Sequence, residues 1–292
     1  MTWLLYRWVW KLEAPLYVGM APAGSLNRCR VYVPARTLWG ALTAECARSE
    51  AGSGERPDYA GWAERIRNDL RLGYLFPAEE VRGRWLAWLP RWCKGQGLVW
   101  QREDQPEGRA VPDRSFRMRL LHARPGTAIQ PDTLAASEGT LRETECWNTR
   151  WRTETGTAAG PAGIKGYVFV RKDCDLLERL GAIRTLVLGG DTRYGLGRVI
   201  RDGGVARAMR VFGRETNIKT EEPIIIAPAV LAHAMANGEK LQGSQERLVG
   251  WNLGQLERLS RLPLWTPGSG CPKEATEWQL CRDGLWRSAA ES

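Results

Sequence analysis

The chain has 292 residues, enough for one large domain or two small ones, and its 43% apolar fraction supports a sizeable core. Forty-two Lys and Arg against 33 Asp and Glu give a formal charge of +9. No stretch approaches the roughly 18 apolar residues of a membrane span, and the opening carries Arg7 and Lys11 inside its apolar run, unlike a secretory signal. Most of the basic residues are Arg, the side chain suited to phosphate forks and base stacking, although a basic balance also serves solubility alone. The cysteines at 29, 46, 93, 146, 174, 271 and 281 are scattered singly and form no CxxC pair, which argues against a disulfide framework or a structural zinc site. A reduced, cytoplasmic protein without metal or cofactor is the expectation.

In chain order, "WLLYRWVWKL" alternates with a period of two. Leu4, Tyr6, Trp8, Trp10 and Leu12 share one face and Arg7 and Lys11 the other, as in a half-buried strand that Pro15 and Gly19 end. "VYVPARTLWGALTAECAR" reads as a short strand ending at Pro34, tolerated at a helix start, and then a helix striped by Leu38, Leu42 and Cys46. Gly40 inside it costs about 1 kcal/mol of propensity and predicts a close packing contact. Residues 51–57 form a loop, and Tyr59, Trp62, Ile66 and Leu70 stripe a second short helix. From 73 to about 165 the pattern is less regular. "RGRWLAWLPRW" and "GLVWQRE" read as strands around a turn, and "DQPEGRAVPD" as a loop. "RSFRMRLLHARPG" reads as a strand, with Phe116, Met118 and Leu120 facing one way and Arg117 and Arg119 the other.

"TETGTAAGPAGIKG" is rich in small, turn-prone residues and is expected to be mobile. Tyr167 to Val170 is a compact apolar strand. Asp173 can cap the helix striped by Leu176, Leu177, Leu180 and Ile183. A glycine-rich turn follows, and Leu196, Val199 and Ile200 start a last strand. This order predicts an α+β, ferredoxin-like βαββαβ unit over residues 1–204, with a long insertion at about 52–165. Residues 205–292 form a C-terminal accessory region with a helix around Val230–Ala236 and a tail holding Trp278 and Trp286. Most of the fifteen Trp are expected to furnish core and interface area, and a few to serve as stacking platforms for unpaired bases.

The turn "LVLGGDTRYGLGRVI" matches neither usual nucleotide signature. A Walker loop needs Lys and Ser or Thr after its last glycine, and a Rossmann turn runs from strand to helix. One of Gly189 and Gly190 is explained by a left-handed helix stop. Four glycines flanked by Arg193 and Arg198 exceed that need: residues without side chains allow close approach and leave N–H groups for phosphate oxygens. Seven Arg against two Asp between Arg184 and Arg214 make a phosphate-bearing strand the natural ligand.

"LGGDTRYGLGRV" resembles the glycine-rich loop of the RAMP superfamily, the RNA-binding subunits of CRISPR effector complexes. "VYVPARTLWGALTAE" resembles the family's earlier segment: Arg36, Thr37, Leu38, Gly40, Ala41 and Leu42 match, while Ala35 and Trp39 depart from it. "LEAPLYVG" is similar to the family's first-strand ending. "TAIQPDTLAASEGTLRETECW" is similar to a segment of the Cas five-type subunit of type III and related systems, which caps the 5′ end of the guide RNA. The resemblance covers roughly residues 3–46 and 125–202.

The resemblance implies an RRM-like RAMP domain whose Gly189, Gly190, Arg193, Tyr194, Gly195, Gly197 and Arg198 lie against guide RNA, with Arg36 and Thr37 close by and Tyr194 on sugar or base. The basic pair Arg117 and Arg119 joins this candidate surface. The insertion would supply a finger that grips or kinks the 5′ handle. Partners would be guide RNA, neighbouring backbone subunits and a large subunit. The reading is non-catalytic. The alternatives are a RAMP-type endoribonuclease using His122, whose Arg neighbours would lower its pKa, and an interaction protein whose exposed Trp residues build an oligomer. His233, in "VLAHAMA", reads as a packed helix residue.

Overall fold

Fourteen consecutive residues of extended chain, Ala158–Arg171, run through the middle of the protein. The structure is a computed structural model that describes residues 2–108, 110–153, 156, 158–235, 241–252, 254–270 and 275–289. The principal sheet comprises β1 (Trp3–Leu12), β2 (Leu70–Leu72), β3 (Phe76–Val81), β4 (Arg84–Cys93) and β5 (Gly97–Arg102). β6 (Leu121–Gly126) and β7 (Arg142–Trp147) form a separate hairpin. β8 (Ala158–Arg171), β9 (Thr185–Val187) and β10 (Arg198–Arg201) also belong to the principal sheet, and short strands Val111–Pro112, Arg150–Arg152 and Ala206–Arg207 pair with β5, β8 and β1. Its order is β9–β10–β1–β8–β3–β4–β5, with β2 also paired to β8. β1 runs antiparallel to both β8 and β10, and β8 antiparallel to β2 and β3. Among the described residues the α-helices are α1 (Ala35–Glu50), α2 (Tyr59–Asp69), α3 (Asp113–Leu120) and α4 (Leu176–Ala182).

Over residues 158–166, β8 replaces the expected mobile, turn-prone stretch, of which residues 154, 155 and 157 lie outside the described residues. Its small residues are there because neighbours cross it closely. A Cβ on Gly163 would meet the Trp85 ring at 2.6 Å, and one on Gly166 would meet the Tyr74 carbonyl oxygen at 2.9 Å. β1 pairs with β8 from Trp3 opposite Arg171 to Lys11 opposite Gly163. Trp8, Trp10 and Leu12 are buried as the alternation predicts, but so are Trp3 and Leu5 on the other face. β3 and β4 turn through Arg82 and Gly83, both at positive φ, the two-residue geometry that suits strand twist.

α1 begins after Pro34 and buries Leu38, Leu42 and Cys46. Gly40 is exposed, with open space where a Cβ would stand, so the expected close contact is absent and nothing in the structure requires glycine there. Residues 114–126 are a helix followed by a strand rather than one strand. Phe116 and Leu120, one helical turn apart, are both buried, whereas Met118 is 67% exposed. The cause is aromatic packing: Phe116 stacks on Trp100 with centroids 4.4 Å apart, and the Trp88 and Trp151 rings close around it. Asp173 does not cap α4. Asp175 occupies the N-cap position and pairs with Arg65 instead.

Ten of the fifteen Trp are buried in the core, which bears out the packing role expected for most of them. Cys29, Cys46, Cys93, Cys146, Cys174 and Cys281 are free thiols, and Cys271 lies outside the described residues. No helix is long and apolar enough to cross a membrane among the described residues.

The C-terminal residues build a second sheet, in which Ile224–Ala227 pairs with Thr276–Leu280 and that strand with Trp286–Ser288. The predicted helix at Val230–Ala236 is not formed: Ala234–Met235 is a short strand beside Trp286, and Ala236 lies outside the described residues. This sheet is tied to the first by buried charge. Arg71, fully buried, donates to Glu222, and Trp3 Nε1 donates to the Glu221 carbonyl at 3.0 Å.

A second tie centres on Glu246, whose carboxylate accepts from Arg30, Tyr32 and His233. His233 Nδ1 in turn stands 2.7 Å from the Tyr74 hydroxyl. Burial works against the charged form of Glu246, but hydrogen bonds from His233 and Arg30 prevail and hold its pKa down to about 2. Burial pushes the His233 pKa down against the opposing pull of Glu246.

Removing the Glu246 side chain leaves Arg30 buried without its counter-charge, so Glu246→Ala is predicted to lower unfolding free energy by about 3–5 kcal/mol in urea. His233 is expected to confer a pH slope. The unfolded chain protonates this residue near pH 6.5 and the folded chain resists, so stability falls as pH drops through about 6.5. His233→Gln should remove that share of the loss between pH 7.5 and 5.5. The Glu246 contribution, full above about pH 4.5, should disappear only as pH falls toward about 2.

Candidate nucleic-acid interface

The glycine-rich loop, residues 188–197, joins β9 to β10 as a hairpin connection, because Thr185–Val187 pairs with Arg198–Arg201. A strand therefore stands between α4 and the loop, where the sequence suggested a direct helix-to-loop passage. Gly189 and Gly197 have φ of 80° and 87°, and a Cβ at either would overlap a backbone carbonyl, of Tyr17 and Leu188 respectively. The Gly190 and Gly197 N–H groups donate to the carbonyls of Tyr17 and Pro15 at 2.9 and 2.8 Å, and Gly195 N–H donates to Thr192 at 3.1 Å. The glycines thus seat the loop against the chain after β1. The expectation that these N–H groups stand free for phosphate is corrected: all three are engaged within the protein.

What the loop offers outward is side chains. A single 3-10 turn, Thr192–Tyr194, is bracketed by left-handed Asp191 and Gly195. It lifts Arg193 and Tyr194 into solvent, and Tyr194 is 63% exposed. Arg198, at the start of β10, is exposed as well. Among the described residues neither Arg193 nor Arg198 has an acidic partner.

A residue that sequence reasoning missed completes this surface. The Arg142 guanidinium, at the start of β7, lies 4.8 Å from the Tyr194 ring centroid. The hairpin β6–β7 is thereby brought alongside the loop, and its connection, residues 127–141, carries exposed Ile129, Leu134 and Leu141. Arg142 sits inside the segment "GTLRETECW", so its signal was present, but only contact with Tyr194 distinguishes it from the other exposed arginines.

Arg117 and Arg119, also expected at the interface, are engaged by partners within the protein. Arg117 donates to Asp113 at 2.9 Å and to the Cys29 carbonyl at 3.0 Å. Arg119 lies over the Trp88 and Trp151 rings at 5.2 and 5.6 Å, with Glu79 3.8 Å away. Both arginines anchor α3. Arg36 and Thr37 form the first turn of α1. The Arg36 guanidinium rests over Trp39 and lines a cleft of about 550 Å³ together with Arg67, Glu222, Glu257, Arg282 and Asp283. No residue of the glycine loop lines that cleft, so the structure does not bring these two segments together there.

His122 on β6 is half-buried with Nε2 3.5 Å from Cys146 Sγ. Burial lowers its pKa, and Arg152 and Arg124 lower it further. His233 is fully buried. No three His, Cys, Asp or Glu side chains gather as a metal site among the described residues.

No protein-family model matches the sequence, and no curated protein is similar to it. The fold is similar to that of a chain in the cryo-EM structure of the type III-B Cmr-beta complex bound to cognate target RNA and AMPPnP, state 1. The TM-score is 0.55 at 13% identity, over 90% of this chain and 84% of that one. A chain in the type III-B Cmr-beta complex bound to cognate target RNA gives 0.54 at 13% identity, over 90% and 85%. At that identity the likeness is one of fold.

The loop geometry makes a graded prediction. Gly189→Ala and Gly197→Ala, strained and overlapping a carbonyl, should each cost about 2 kcal/mol or more of unfolding free energy. Gly195→Ala, equally left-handed but open, should cost only about 1 kcal/mol. Urea titration of the three variants checks the order.

Proposed function

We propose that this chain is a non-catalytic, RAMP-type RNA-binding subunit of a CRISPR effector complex that holds the 5′ handle of the guide RNA and caps the backbone filament. The observation that carries it is the convergence of Arg193, Tyr194 and Arg198 from one loop with Arg142 from a separate hairpin, where Arg193 and Arg198 form no ion pair among the described residues and Asp191 acts on Arg142. Arginines neutralise phosphates and an exposed ring offers a base a stacking face. The order β10–β1–β8–β3, antiparallel throughout, with α1 and α4 as the connecting helices, supports reading residues 1–204 as a ferredoxin-like unit. The neighbours in fold come from a complex bound to its target RNA, which supports the same class of partner.

In this reading the connection 127–141 is the finger of the insertion, with Leu134 and its apolar neighbours meeting bases beside the Arg142–Tyr194 pair. Residues 205–292 act as an accessory region, and neighbouring backbone subunits and a large subunit are the protein partners. Binding rather than cutting is favoured by the histidines. His233 is sealed in the core, and His122 has Cys146 and Asn148, not a carboxylate, as its hydrogen-bonding neighbours.

With labelled repeat-derived RNA, Arg193→Ala combined with Arg198→Ala should flatten the log–log salt dependence by about 1.4, two single-strand phosphate contacts. Tyr194→Ala should cost about 1–3 kcal/mol of binding. Unchanged affinity and slope in these variants would eliminate the assigned surface. The RNA should remain intact with both the native protein and His122→Ala. Cutting by the native protein that His122→Ala abolishes would restore the endoribonuclease alternative.

A further inference from the structure

The principal sheet has a second basic strip that the loop does not include. In an antiparallel ladder, directly paired residues point to the same face and alternate residues share it. Arg7 pairs with Tyr167, Val9 with Lys165, and Lys11 with both Gly163 and Ile200. These residues, together with Arg198 two positions before Ile200, therefore share one face. The opposite face holds Trp10 and Arg201, and Arg201 donates to the Leu180 and Gly181 carbonyls of α4. One end of the first face is covered by the C-terminal region, where Phe212 packs edge-on against Tyr167 with centroids 4.8 Å apart. The other end is not.

On this uncovered part Arg7, Lys11 and Arg198 are exposed, and none has an acidic partner among the described residues. Three carboxylates share this face: Glu103 receives Lys165, Asp202 accepts from Trp85 Nε1, and exposed Glu13 lies beside Arg198, whose carbonyl accepts from the Glu13 N–H at 3.0 Å. Trp85 lies across Gly163, where the missing Cβ makes room for its ring. Burial lowers the Lys165 pKa against the pull of Glu103, and Arg7 and Arg84 lower it further, which records how closely the cations gather.

We propose that this strip, Arg7 and Lys11 beside the half-buried Trp85 and reached through Arg198, is a second single-stranded RNA contact that carries the strand onward from the glycine loop across the sheet. The proposal rests on the RNA-binding reading above and extends it. Three features favour nucleic acid over an acidic protein. Arg198 belongs to both surfaces, so one backbone can pass from Arg193 by way of Arg198 to Lys11, with Glu13 on the flank of that path. The cations stand beside an indole whose edge is tied down, leaving a face for stacking. A strand rise of about 3.3 Å per residue sets Arg7 and Lys11 roughly 13 Å apart, with Ile200 and hence β10 about 5 Å from Lys11. The charges therefore form a line rather than a point.

The test uses the full chain, the double variant Arg7→Ala with Lys11→Ala, and two single-stranded RNAs of roughly 8 and 20 nucleotides. Both replaced side chains are exposed, and an unchanged unfolding midpoint confirms the fold. The 20-mer is expected to lose about tenfold in affinity near 0.15 M salt, with its salt slope flattened by about 1.4. The 8-mer, accommodated on the loop, should bind as before. If the 20-mer binds the double variant like the native protein while Arg193→Ala with Tyr194→Ala still weakens it, the sheet contact is refuted and the loop surface stands. If neither pair of substitutions matters, the RNA-binding reading itself fails. If the double variant keeps RNA but no longer joins an acidic partner protein, the strip is a protein surface and the proposal is overturned.

Discussion

The ladder between β1 and β8 decides what each part of this protein meets. Because paired residues share a face, the alignment of Lys11 with Gly163 sends Trp10 toward α4 and leaves Lys11 and Arg7 on the opposite side. A slip of one residue would exchange these faces, turning Arg7 and Lys11 inward and exposing Trp8 and Trp10. The glycines of β8 hold that alignment in place from both sides. Gly163 admits the Trp85 ring and Gly166 admits the backbone at Tyr74, so the strand is fixed by what lies across it as much as by its own hydrogen bonds. Everything that positions the glycine loop follows, since β10 pairs with β1 and delivers the loop at its end.

Much of this was legible in the sequence where periodicity and burial agree. β1, α1 and the hairpin of β4 and β5 follow from alternation, a helical stripe and a turn. The misreadings share a cause. In residues 114–120 apolar side chains recur at both two- and four-residue spacing, and only Trp100, far off in sequence pattern, selects the helix by stacking on Phe116. In residues 158–166 small side chains signal a turn locally but serve close crossings in three dimensions. His233 interrupts an apparently helical stretch because its imidazole is fixed between Tyr74 and Glu246, a long-range constraint invisible to propensity.

The candidate interface shows the same division. The loop stood out from its glycines and arginines, yet the glycines turn out to serve internal seating, and the outward chemistry falls to Arg193, Tyr194 and Arg198. Arg117 and Arg119 looked equivalent to these by charge and are held instead by Asp113 and by two indole rings. Charge in a sequence does not reveal whether a guanidinium already has a partner. Arg142 could be recognised only once Tyr194 was seen beside it.

The attachment of the C-terminal sheet through Arg71–Glu222 and Arg30–Glu246 has a consequence for any shortened form of the chain. Ending it near residue 204 would strip the covering from Trp3 and Phe169 and remove the carboxylates that pair with two guanidinium groups kept from solvent in the intact chain. Such a fragment would carry a sticky apolar wall studded with uncompensated positive charge, and would associate with itself or with chaperones before it met any natural ligand.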